Sequence, residues 1–170
     1  MAGPHTLEET ERKVSTLLSD LPIDFESMTL ISSLFRAGNA VKNHLERSVL
    51  AKYELSWTAF VVLWVIWIWE PIETRNIAAE VGTSKPTLTG VLKTLEKKGW
   101  IIKSQSKSDK RLVIVTLTKS GKRTMRQLFP EFNKEEIYLA QVTDPKARTQ
   151  TARSLRELTI HAQLTQTRRE

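Results

Sequence analysis

Apolar and polar residues alternate with a helical period over most of this 170-residue chain, and with a period of two over one short stretch. After a lead-in broken by Pro22 and Asp24, apolar residues recur at Leu30, Leu34, Val41 and Leu45. Arg36, Asn39, Asn43 and Arg47 form the opposing stripe, which predicts a helix over about 26–47. Ser56 is a suitable N-cap for a second helix ending before Pro71. That helix holds the longest apolar run, Ala59–Trp69; its eleven residues fall short of the roughly 20 a membrane span needs, so it reads as a buried core helix.

A short helix over 73–81 follows, with Gly82 where a left-handed C-cap is wanted. Ser84 caps the next helix, and Pro86 is tolerated in its first turn. Leu88, Val91, Leu92 and Leu95 form its apolar stripe, with Gly99 at its end. Two helices joined by about three residues around a glycine make a helix-turn-helix. The period then drops to two in Trp100–Lys103 and Leu112–Leu117, separated by the polar, basic stretch Ser104–Arg111: a β-hairpin with an exposed tip, or wing. Thr118 caps a helix expected to bend or break at Pro130. Asp144–Pro145 opens a last helix to about Leu164, with Leu155 and Leu158 as buried positions, before a polar tail over 165–170.

The expected fold is mainly α with a small β wing. A winged helix-turn-helix over 51–121 is flanked by a first dimerisation helix over 25–50 and C-terminal dimerisation helices and tail over 122–170, with residues 1–24 as an N-terminal arm. The apolar positions Leu30, Leu34, Leu128, Phe129, Phe132, Leu155 and Leu158 are too many for one monomer to bury, so a homodimer is expected.

Charge sharpens this outline. Between Thr83 and Arg126 lie twelve Lys and Arg against two acids, Glu96 and Asp109: +10 of a chain whose total is +7, leaving the remainder at −3. One strongly basic segment on a mildly acidic body is the footprint of a polyanion binder, although a lysine-rich face can also be merely solvated. The absence of cysteine excludes a disulfide framework, a thiolate metal site and a cysteine redox switch. His5, His44 and His161 are scattered, so no metal is expected. There is no phosphate-cradling glycine loop or nucleophile elbow, and the adjacent Glu135 and Glu136 point apart on a helix; neither an enzyme nor a cofactor is expected. The N-terminus lacks a signal-peptide pattern, and with no spanning segment a cytoplasmic protein is the default expectation.

The segment Ile77–Ile101 resembles the winged helix-turn-helix of the MarR family of bacterial regulators, as does Ser108-Asp-Lys-Arg-Leu112 followed by Val115-Thr-Leu-Thr-Lys-Ser-Gly121. The Asp109-x-Arg111 pair leading to that glycine is the most characteristic feature. The resemblance implies a homodimer with intertwined terminal helices, binding a near-palindromic double-stranded DNA operator. Many such proteins are repressors released by small, often aromatic, ligands. A ligand-independent regulator or activator and a winged-helix protein-interaction module remain the alternatives.

For DNA, the leading end of the second helix offers Ser84, Lys85, Thr87 and Thr89, with Gly90 and Lys93 one turn further. Without Arg, Asn or Gln on that face, Lys85 or Lys93 is the best candidate for a guanine edge, and phosphate contacts and DNA shape must carry much of the affinity. The wing offers Lys107, Lys110 and Arg111, with Arg111 suited to a narrow minor groove. Asp109 either braces Arg111 or the wing backbone, or simply shapes the turn. Lys97 and Lys98 are expected as solvated cations at a helix end. Trp57, Phe60, Trp64 and Trp67, spaced three, four and three apart, read first as core. The resemblance adds a second role, in which Trp57, Phe60 and Trp64 with Arg36, Asn39, Asn43 and His44 hold an aromatic or acyl-CoA ligand.

Overall fold

The computed structural model describes residues 5–106 and 108–167, which divide into two compact units, 1–44 and 45–170. The first unit begins with α1 (Leu7–Leu17), where a lead-in arm was expected. A capping box explains it: Glu9 N–H donates to the Thr6 hydroxyl, and the Glu9 carboxylate accepts from Thr6 N–H at 2.8 Å. Helix α2 (Phe25–Ser48) starts where the Asp24 carboxylate accepts Ser27 N–H, and it crosses the boundary between the units. Leu30, Ile31, Leu34 and Phe35 are exposed on it.

The second unit is built around α3 (Trp57–Trp69). Its sequence is apolar on every side, and Ala59, Phe60, Val62, Leu63, Val65 and Ile66 are all buried. Ser56 caps it, and the Glu46 carboxylate accepts the otherwise orphaned Trp57 N–H at 2.6 Å. A 3₁₀ turn (Leu50–Tyr53) precedes it. After the cis peptide Glu70–Pro71 come β1 (Ile72–Glu73), α4 (Thr74–Val81), α5 (Lys85–Lys97), β2 (Ile101–Gln105), β3 (Val113–Leu117), α6 (Lys119–Ala140) and α7 (Pro145–Thr167). The sheet order is β1-β3-β2, antiparallel throughout, with Ile72 opposite Val115 and Ile101 opposite Leu117. The hydrophobic positions chosen from periodicity (Ile77, Leu88, Leu92, Leu95, Val115 and Leu117) line the core beneath it.

Three expectations are corrected. Helix α6 is not broken at Pro130: it runs from Lys119 to Ala140, with Pro130 on the solvent side and Gly121, Met125, Leu128 and Phe132 keeping a buried face on both sides of it that offsets the lost backbone bond. Leu128 and Phe132 are thereby covered within the chain, not held back for a partner. Conversely, Leu155 on α7 is exposed and Leu158 only half-buried, since little of this chain packs over that helix. No helix among the described residues is long and apolar enough to cross a membrane.

Candidate nucleic-acid interface

Gly82, at φ +65°, closes α4 in the left-handed region, and the chain turns through Thr83 into α5. Ser84 accepts the Thr87 N–H at 3.3 Å and Pro86 occupies the first turn, so α5 begins with a satisfied cap and a rigid start. Leu88, Leu92 and Leu95 seat it in the core. That leaves Ser84, Lys85, Thr87, Thr89, Gly90 and Lys93 exposed together, with no acid in the first turn. Two hydroxyls on this helix donate inward along the backbone: Thr89 to the Lys85 carbonyl at 2.8 Å and Thr94 to the Gly90 carbonyl at 3.1 Å.

In the wing, Asp109 both braces Arg111 and shapes the turn. Its carboxylate accepts Nε and Nη2 of Arg111, each at 3.1 Å, and the Arg111 backbone N–H at 2.9 Å. The Arg111 side chain is nevertheless 90% exposed, so the edge of its guanidinium that Asp109 does not hold faces solvent in a set orientation. Those bonds, the side-chain one foremost, hold the Asp109 carboxyl below the usual carboxylate range. Lys110 is exposed at the tip, and Lys107 lies outside the described residues.

Between α4, α5 and the wing runs an open cleft of about 410 Å³. Its lining includes the apolar Ala78, Leu88, Leu92 and Leu112, and it carries four cations, Arg75, Lys85, Lys103 and Arg111, against one acid, Glu73. Arg75 and Lys103 were not among the residues singled out from sequence. Arg75 sits in the first turn of α4, which reaches the wing only because β1 pairs with β3 immediately before it. A two-residue strand leaves no period to read, so nothing in the sequence announced that meeting. Lys103 is paired with Glu96 at 2.7 Å, and Arg75 with Glu73.

Other expectations change at the far end of α5. Lys97 is exposed, but Lys98 is not a solvated cation. Its ammonium pairs with Glu54 at 2.7 Å, donates to the Tyr53 carbonyl at 3.3 Å and lies 5.1 Å from the Trp100 ring centre. It fastens α5 to the 3₁₀ turn, which is in turn bound to α6 through Lys52 and Tyr53, both at 3.1 Å from Glu131. The expected ligand residues fall in separate units: Arg36, Asn39, Asn43 and His44 on α2 in the first, Trp57, Phe60 and Trp64 on α3 in the second. The α3 aromatics join a cluster with α6, Phe60 stacking on Phe132 at 4.3 Å and Trp64 lying 4.5 Å from Phe129. Among the described residues no group of three His, Cys, Asp or Glu is placed to hold a metal.

A helix-turn-helix followed by a hairpin, with the cations of both around one cleft, defines a winged helix-turn-helix protein. Residues 55–113 match the model of the MarR family. The chain is 39% identical over 136 residues to the HTH-type transcriptional regulator YwaE of Bacillus subtilis (strain 168), covering 78% of this chain and 80% of that one. The fold is similar to that of the transcriptional repressor CouR bound to a 23-mer DNA duplex (TM-score 0.73, 24% identity, 82% of this chain and 98% of that one). It is also similar to that of NadR in complex with 4-hydroxyphenylacetate (TM-score 0.64, 21% identity, 74% and 89%). The chain belongs to the MarR family of DNA-binding transcriptional regulators, which are not enzymes.

Proposed function

We propose that the protein is a cytoplasmic, homodimeric repressor that grips a near-palindromic operator through residues 51–121 and is released by a small aromatic or acyl-CoA ligand. The observation that carries the DNA half is the convergence of Arg75, Lys85, Lys103 and Arg111 on the cleft between α5 and the wing. With α5 in a major groove and the hairpin in the adjacent minor groove, the sugar–phosphate ridge separating the two grooves runs over that cleft. Arg75 and Lys103 then neutralise phosphates, Ser84, Lys85, Thr87, Thr89, Gly90 and Lys93 face bases or the nearest backbone, and Arg111 enters the minor groove. Lys110 flanks it at the tip.

Pairing of two copies is supported by the exposed apolar residues of α2 (Leu30, Ile31, Phe35) and of α7 (Leu155, Ile160, Leu164). Release by a ligand is supported by NadR having been solved with 4-hydroxyphenylacetate and by a hollow of about 180 Å³ between Trp57, Thr58 and Val61 of α3 and the turn Val81–Thr83. An aromatic ring lodged there would press on the turn that sets α5.

Fluorescence anisotropy on an operator duplex, selected from random DNA by the wild-type protein, tests the reading. At fixed salt, Arg111→Ala and Arg75→Ala should each weaken binding about tenfold or more, while Lys97→Ala changes it little. Equal losses in all three remove the assignment. A dimer touching about 6–10 phosphates should lose about 10³–10⁵ in affinity between about 50 and 200 mM salt. Phenolic acids and acyl-CoA thioesters that quench tryptophan emission should also dissociate the complex; ligands that do neither would leave a constitutive regulator.

A further inference from the structure

We propose that Glu70 is a positioning residue for the wing, fixing the angle at which the hairpin meets DNA; this rests on the wing assignment above. Along one edge β3 is paired with all of β2, but along the other it meets only the two residues of β1, with Ile72 opposite Val115 and Glu73 opposite Ile114. Extending that register places position 70 opposite Leu117. There the ladder is continued by a side chain: Oε2 of Glu70 accepts the Leu117 N–H at 2.6 Å. The other oxygen, Oε1, holds the Lys122 ammonium at 2.7 Å. Glu70 is itself the C-cap of α3, so one carboxylate joins α3, the root of the wing and the first turn of α6.

Two features mark this as more than an incidental surface pair. Glu70 is the first charged residue after Glu54, closing a helix otherwise without charge, and only 17% of its side chain is exposed, so its bonds are poorly screened. Its partner Lys122 sits near a helix N-terminus, where the backbone dipole disfavours a cation and no acid in the first turn of α6 offsets it. The leverage is large. Arg111 lies six positions before Leu117, along β3 and into the turn beyond it, at most about 20 Å, so a tilt of about 10° at the root moves it by up to about 3.5 Å, enough to break a hydrogen bond. Losing this rung should therefore cost DNA binding out of proportion to folding.

A double-mutant cycle on the selected operator duplex decides the matter. Glu70→Ala should bind about tenfold more weakly than wild type, but less than about twofold more weakly when introduced into Lys110→Ala/Arg111→Ala, whose wing has nothing left to aim. Glu70→Ala should also flatten the salt dependence in the manner of Arg111→Ala, by about one phosphate contact. Equal losses in both backgrounds, or no loss in either, overturn the proposal while leaving the wing assignment intact. If the wing double variant itself binds like wild type, the wing assignment falls and the role of Glu70 with it. Should Glu70→Ala not fold, Glu70→Met, which fills the space without an acceptor for Leu117, runs the same cycle, with the same coupling expected and additivity as the refutation, while Glu70→Gln, which keeps that acceptor, should bind within about twofold of wild type.

Discussion

Replacing Gly121 by alanine puts a methyl group where the fold has no room. A Cβ on Gly121 would lie 2.1 Å from the Trp100 carbonyl oxygen and 2.9 Å from its carbon. That carbonyl is not free to retreat: it accepts the Thr118 N–H at 2.9 Å, and the Thr118 hydroxyl donates to the neighbouring Gly99 carbonyl at 2.7 Å. Restoring ordinary contact requires α6 to back away by about 1 Å from the end of the helix-turn-helix, and because both obstacles are backbone the cost belongs at the top of the overpacking range, about 3 kcal/mol. Alanine returns about 1 kcal/mol through its better helix propensity. The net loss is about 2 kcal/mol, and with a urea slope of about 2 kcal/mol/M the unfolding midpoint should fall by about 1 M. Equilibrium urea unfolding followed by tryptophan fluorescence measures it. A Gly121→Ala protein as stable as wild type would refute the close approach.

Gly90→Ala is the natural counterpart, since nothing lies within 4 Å of a Cβ there: stability should rise by about 0.5–1 kcal/mol in the same assay, and operator affinity should fall if that backbone approaches DNA. Lys98→Ala should cost about 1–2 kcal/mol in urea unfolding, because it removes the fastening of α5 to the 3₁₀ turn and the contact over Trp100, whereas Glu54→Gln, on a side chain so exposed that water screens its ion pair, should be nearly silent. Asp109, held below the usual carboxylate range by Arg111, keeps its brace at neutral pH and loses it only as pH falls through that lowered value. Carbon NMR of the carboxyl group should therefore show its midpoint move up in Arg111→Ala, and an unchanged midpoint would mean the brace is absent in solution.

Much of this architecture is written in short-range chemistry. Gly82, Ser84 and Pro86 mark the turn and the start of α5 because each answers a local backbone need, and the switch of period at Trp100 marks the wing. Features that depend on long-range meetings were not legible. β1 has two residues and therefore no period, and with it went the nearness of Arg75 to the wing. Lys98 looks solvent-facing at a helix end until the 3₁₀ turn folds back against it. Gly121 was recognisable as part of a pattern, but its physical reason, the Trp100 carbonyl, lies 21 residues away. Helix α1 is a different case: Thr6 and Glu9 spell out a capping box in the sequence itself.

The inward-turned hydroxyl of Thr89 has a consequence for the choice of operator. Its proton is already held by the Lys85 carbonyl, so toward the groove that oxygen can only accept. Of the groups that base pairs display in the major groove, only the amino groups of adenine and cytosine can donate to it. With α5 in the major groove as proposed, a base that meets this oxygen should accordingly be A or C, with the keto edges of G and T disfavoured at that single step.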